Sequence, residues 1–168
     1  MITHARDVLK DHALTGSVCC DALTKRTDAF LKAIYEDAMA PQSTALVAIG
    51  GYGRRELCPG SDIDVLLVHN SELEVRELAE KIWYPLWDAG LKLGHQVGTI
   101  DQIAEVAYEN LDMATSLLAA RLVAGNGELA EELSLKARDQ WVKKSFQYLS
   151  ELNKSVITRH QKFGEVAF

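Results

Sequence analysis

Nothing in the chain approaches the ~20 consecutive apolar residues that a membrane-spanning helix needs. The opening MITHARDVLK also lacks the continuous apolar core of a secretory leader. The expectation is a cytoplasmic protein with no membrane attachment. Cysteine is scarce: Cys19, Cys20 and Cys58 are the only three, and no C-x-x-C spacing offers a zinc or dithiol redox motif, so they read as reduced thiols. A surplus of basic residues is missing too. Eighteen Lys and Arg stand against 24 Asp and Glu, a formal net charge of −6, which argues against a general nucleic-acid binder while leaving room for a local basic site. There is no low-complexity tract, internal repeat or Pro/Gly/Ser linker. What remains, 168 residues that are 48% hydrophobic and 25% charged, is enough to bury one core without staples.

Periodicity divides the chain into helices around a small strand-rich centre. Leu23, Phe30, Ile34 and Met39 recur at helical spacing over 17–39, before Pro41. Residues 45–50 (ALVAIG) and 63–69 (IDVLLVH) are short, mostly aliphatic runs that read as buried strands. Their connection is too short for a crossover helix and long enough for one helical turn. A helix is expected over 71–89, with Ser71 and Glu74 in capping-box spacing, Leu73, Leu78, Ile82 and Leu86 on one face, and Gly90 as its end. LKLGHQVGTI at 91–100 reads as a third strand. From about 101 onward the pattern predicts helix throughout, with starts at Asp101 and Asp112, breaks at Gly125 and Gly127, and a long helix over 128–160. Trp83, Tyr84 and Trp87 read as packing against the sheet, Leu117, Leu118, Leu122 and Val123 as a helical core stripe, and Glu128, Glu131 and Glu132 as a solvated face.

The chemistry concentrates in GGYGRRELCPGSDIDVLL, residues 50–67. Asp62 and Asp64 are two positions apart at the mouth of a buried strand, so alternation sends both side chains to one face. Two neighbouring carboxylates repel unless a cation lies between them. Mg²⁺, or Mn²⁺ in its place, answers that need: a hard ion held by one or two carboxylates and completed by water and substrate phosphates. Gly50 and Gly51, following a strand without Cβ atoms, let backbone N–H groups approach a phosphate closely. The Ser61 hydroxyl and the Arg54 and Arg55 guanidinium groups add donors for the same phosphates. Together these parts describe nucleotidyl transfer from a nucleoside triphosphate.

The order of strand, Gly-Gly, short spacer and D-x-D resembles the signature of the polymerase-β-type nucleotidyltransferase superfamily. GGYGRRELCPGSDIDVLL is similar to the version in bacterial PII uridylyltransferase/uridylyl-removing enzymes. WDAGLKLGHQVGTI at 87–100, ATSLLAARLVAG at 114–125 and RHQKFGEVAF at 159–168 extend the likeness across most of 45–168. The resemblance implies an α/β (α+β) fold, a small mixed sheet flanked by helices with a helical C-terminal portion. Residues 1–110 would form the nucleotidyltransferase core with its N-terminal helix, and 111–168 a helical extension packed on it. It implies Asp62 and Asp64 as catalytic metal ligands, and Gly50, Gly51, Arg54, Ser61 and His95 as nucleotide-binding residues. It further implies UTP as the UMP donor, a tyrosine hydroxyl of the PII signal protein as acceptor, and a role in nitrogen regulation.

Full-length members of that family also carry an HD-type hydrolase domain and ACT domains. The five histidines here include no His-Asp pair, so the sequence reads as an N-terminal portion of such an enzyme. Two positions depart from the family pattern: Arg55 stands where a small residue is usual, and His95-Gln96-Val97-Gly98-Thr99 replaces H-S-V-R-T. Superfamily members often place a third carboxylate on the third strand, and 91–100 contains no Asp or Glu. Asp88 and Asp101 only flank it, which leaves the general base unassigned. Two other readings stay open: a nucleotidyltransferase with a different acceptor, and a regulatory module that keeps nucleotide binding without turnover.

Overall fold

A computed structural model of the protein describes residues 15–70 and 74–164. Its elements are α1 (Gly16–Asp37), β1 (Thr44–Ala48), α2 (Gly50–Gly53), β2 (Ile63–His69), α3 (Arg76–Asp88), β3 (Leu93–Gly98), α4 (Ile100–Glu109), α5 (Leu111–Leu117), β4 (Arg121–Gly125) and α6 (Gly127–Phe163). The four strands form one mixed sheet in the order β3-β2-β1-β4. β1 runs antiparallel to both β2 and β4, while β3 is parallel to β2. The sheet is covered on both faces, so its central strands are apolar on both sides, as their continuous aliphatic runs require. One face buries Leu46, Ala48, Val65 and Leu67 against Leu31 and Ile34 of α1 and Ile82 and Leu86 of α3. The other buries Val47, Leu66 and Val68 against Ile103 of α4, Leu117 of α5 and Leu133 of α6.

Most predicted elements are present, and the single turn expected between the first two strands is α2. The clearest correction concerns 111–125. The stretch expected to be helical throughout contains β4, whose residues pair with β1 from Ala45↔Gly125 to Ala48↔Arg121 through a register shift at Leu46/Val47. Leu117, Leu118, Leu122 and Val123 are therefore no helical stripe. Leu117 closes α5 and is buried, Val123 is a buried strand residue, and Leu118 and Leu122 are exposed. A short apolar run such as RLVAG fits either period, and the free edge of β1 selects the strand.

Helix starts also shift. Thr99 caps α4 in a capping box with Gln102, so Asp101 lies within the first turn instead. Asn110, not Asp112, caps α5 by accepting from the Met113 N–H. Asn126 caps α6 through the N–H groups of Glu128 and Leu129. α3 begins at Arg76, after the non-helical Glu74 and Val75, and the Ser71 cap and Leu73 lie outside the described residues, as does the opening decapeptide. Of the aromatic trio, Trp83 is buried while Tyr84 and Trp87 stay half exposed. Glu128, Glu131 and Glu132 are solvated as expected.

Candidate active site

The site forms where β1 ends and β2 begins. Ile49, still extended, hands the chain to Gly50, whose φ of 59° is in the left-handed region that glycine enters without penalty. The turn Gly50–Gly53 then closes through Gly53 N–H to the Ile49 carbonyl (2.9 Å) and Arg54 N–H to the Gly50 carbonyl (3.1 Å). A single turn leaves its first N–H groups without intrahelical acceptors. The Ile49 N–H donates to the Asp64 carbonyl (3.0 Å), which ties this turn directly to the acid-bearing strand.

Asp62 is exposed just before β2, and Asp64 is half-buried inside it. With Gly51, Tyr52, Glu56, Leu57 and Ser61 they line one open cleft of roughly 320 Å³. Burial, and then the negative charge of Asp62, raises the Asp64 carboxyl above its ordinary range. Among the described residues neither aspartate forms an ion pair. Two mutually repelling acids open to solvent, with no protein cation between them, have the donor chemistry for a hard divalent ion. Among the described residues no group of three or more His, Cys, Asp or Glu side chains converges as a metal cage. The pair therefore suits an ion that draws its remaining ligands from water and phosphate.

Two glycines make room for Asp64. A Cβ on Gly50 would stand 3.3 Å from Asp64 Oδ2 and 3.5 Å from Ser116 Oγ, and one on Gly94 would stand 2.1 Å from Asp64 Oδ1. Gly94 is the register partner of Asp64 across the parallel β2–β3 pair. Its missing side chain is the space the carboxylate occupies. Gly51, in contrast, faces open space and the end of the Arg54 side chain. Arg54 is exposed and donates to Glu56 of the cleft lining (2.7 Å), so its guanidinium already has a carboxylate partner.

His95 is placed elsewhere. It pairs in register with Val65, not Asp64, and so projects from the opposite face of the sheet. There it packs against Trp83 (ring centroids 5.2 Å) and Trp87 (5.4 Å). The expected set is thus split: Gly51, Ser61, Asp62 and Asp64 line the cleft, Gly50 backs Asp64, Arg54 reaches the cleft residue Glu56, and His95 does not join them. Asp88 ends α3, and Asp101 pairs with Lys136, so neither supplies a third acid to this cleft. Sequence reasoning missed Glu56 and Ser116. Glu56 is close enough in sequence to have been considered, whereas nothing local in ATSLLAA marks Ser116. Arg55, the departure from the small residue usual at its position, has a φ of 64°, a conformation that costs an L-residue about 1–2 kcal/mol and glycine almost nothing.

The mixed sheet thus carries a glycine turn and a D-x-D pair, Asp62 just before β2 and Asp64 within it, that open into one cleft. Residues 30–110 match the family model described as "Nucleotidyltransferase domain". More particularly, the chain is similar to curated proteins named bifunctional uridylyltransferase/uridylyl-removing enzyme. It is 35% identical to that of Streptomyces coelicolor over 96% of this chain and 20% of that protein. It is 38% identical to that of Mycobacterium tuberculosis over 73% and 16%, and 36% identical to that of Burkholderia mallei over 88% and 17%. The chain spans about a fifth or less of the length of these relatives. A solved toxin–antitoxin structure with AMP-PNP aligns over 75% of this chain and 91% of its own at 12% identity and a TM-score of 0.42, a likeness too slight to bear on function. Among the described residues no helix is long and apolar enough to cross a membrane.

Proposed function

We propose that this chain transfers UMP from UTP to a tyrosine hydroxyl of the PII signal protein, in the cytoplasm, as part of nitrogen regulation. The nucleotidyltransferase match and the uridylyltransferase relatives support the reaction class and the donor. The observation that carries the reading is the convergence of Asp62, Asp64, Gly51 and Ser61 on one cleft, with Asp64 held against Gly50 and Gly94.

Asp62 and Asp64 would hold Mg²⁺ or Mn²⁺. When bound, the ion neutralises triphosphate charge and stabilises the charge that develops during displacement. The chain's own groups do the rest. Backbone N–H groups at Gly50 and Gly51 and the Ser61 hydroxyl orient the phosphates, and Arg54 exchanges Glu56 for a phosphate oxygen in a forked contact. The acceptor oxygen forms a bond to the α-phosphorus as the bond to the β-phosphate bridging oxygen breaks, the tyrosine proton leaves to a base, and pyrophosphate departs. Positioning and charge stabilisation account for the rate.

Incubation with labelled UTP, Mg²⁺ and PII tests this. Label on a PII tyrosine is the expected result. Nucleotide binding without transfer would instead indicate a regulatory module, a reading favoured by Glu56, the one further acid lining the cleft among the described residues, being engaged by Arg54. Transfer only from other triphosphates or to another acceptor would reassign the substrate.

A further inference from the structure

Beneath the glycine turn lies a polar network that the site chemistry does not use. Arg121, the first residue of β4, makes a two-pronged ion pair with Asp28 of α1, Nη1 to Oδ2 and Nη2 to Oδ1, both 2.9 Å. Both side chains are largely buried, 18% and 13% exposed. The same guanidinium donates from Nε to the Gly53 carbonyl (3.2 Å) and from Nη2 to the Tyr52 carbonyl (3.3 Å). It also lies 5.3 Å from the centroid of the Tyr52 ring. The Tyr52 hydroxyl donates to Asp28 Oδ1 at 2.6 Å, and burial holds that phenol well above its ordinary range, so it stays a donor. Gly53 closes the assembly from the other side, since a Cβ there would stand 2.1 Å from the Ala119 carbonyl oxygen.

These contacts fix the turn at two carbonyls, one side chain and one backbone approach. A one-turn helix has too few internal hydrogen bonds to hold its own geometry. The groups that hold it come from residues 28 and 121, on either side of the 30–110 segment that matches the nucleotidyltransferase model. Among the described residues, the hydrogen bonds of Arg121 and Asp28 reach the open cleft at Tyr52 and the end of its glycine turn at Gly53.

We propose that Asp28 and Arg121 are positioning residues for the nucleotide site, a clamp that keeps the 50–53 turn in its phosphate-receiving conformation. The proposal rests on the nucleotide-site reading above. A guanidinium is required because one group must meet a carboxylate with two parallel bonds and still reach two carbonyls, which an ammonium cannot do.

The test uses the whole chain with Arg121→Lys, which retains the charge opposite Asp28 and so avoids the unpaired buried acid that a neutral replacement would leave. Two readouts are taken: amide hydrogen exchange over 50–56, and the Kd for UTP with Mg²⁺. The clamp predicts a melting temperature close to that of the unmodified chain, exchange over 50–56 faster by tenfold or more, and UTP binding weaker by about tenfold. If Lys restores both exchange and affinity, the buried pair serves only charge balance and the proposal is overturned. Should Arg121→Lys fail to fold, Tyr52→Phe, which removes one hydroxyl, is read the same way with smaller changes. If the unmodified chain binds no UTP with Mg²⁺, the transferase reading fails. The exchange measurement still decides the clamp: unchanged exchange over 50–56 overturns it, and selective loosening there supports it.

Discussion

The two faces of the β2–β3 pair carry polar groups of opposite character one residue apart. On one face Asp64 stands against Gly94, next to Asp62 and an open cleft, with its carboxyl pushed up by burial and by a like charge. On the other, His95 stands beside Val65 and is packed against two tryptophans. The first arrangement is electrostatically incomplete and gains from an added cation. On the second face, aromatic packing covers part of an imidazole that otherwise stays exposed in a separate cleft with Trp83, Tyr84 and Trp87. Where a strand pair carries polar residues on both faces, the face whose carboxyl is raised by burial and by a like charge is the one that points to a cation.

The largest effect expected from breaking this contrast is at Gly94. Gly94→Ala puts a methyl group where Asp64 Oδ1 now lies and forces the carboxylate to move. A displacement of about 1 Å at a reacting centre lowers rate by ~100-fold, so UMP transfer should fall by that order while the chain stays folded. Steady-state kinetics beside a melting curve reads both.

The next effect is on pH. Mg²⁺ competes with protons for Asp64, and because that carboxyl titrates above its usual range, Mg²⁺-dependent binding should begin to weaken at a higher pH than an ordinary aspartate would give. Below the folded-state pKa it should fall by about tenfold per pH unit. The same raised pKa means that the folded chain holds this proton more tightly than the unfolded one. The stabilisation is full below the unfolded-state value and is lost as pH rises through the folded one. A binding titration across the acid range would show it, and a midpoint at the ordinary carboxylate pKa would remove Asp64 from the metal site.

The smallest effect is expected on the other face. His95→Ala removes aromatic contacts worth about 1 kcal/mol, or roughly 2–4 °C in melting temperature, and should leave the UTP affinity unchanged. A large loss of affinity with an intact fold would return His95 to the nucleotide site.

These faces differ in how readable they were from sequence. The acid pair was legible because a period of two, a buried run following it and a glycine pair before it all refer to neighbouring residues. The placement of His95 was not, because its face depends on the register between β2 and β3, and a one-residue slip of an edge strand reverses it. The strand at 121–125 was hidden for a related reason: RLVAG has no period of its own, and only the free edge of β1 makes it a strand. The Asp28–Arg121 pair spans 93 positions and leaves no local trace. Short-range patterns brought the acid pair and the glycines forward as candidates, and long-range pairing determined which candidates share a cleft.

The central claim is that Asp62 and Asp64 jointly hold a divalent ion that seats the triphosphate. Calorimetry of UTP binding, with and without Mg²⁺, on the unmodified chain and on Asp62→Asn tests it most directly. The account predicts binding that depends on Mg²⁺ and is lost, by at least tenfold in Kd, in the variant. Equal Mg²⁺-dependent affinity in the two proteins would contradict it.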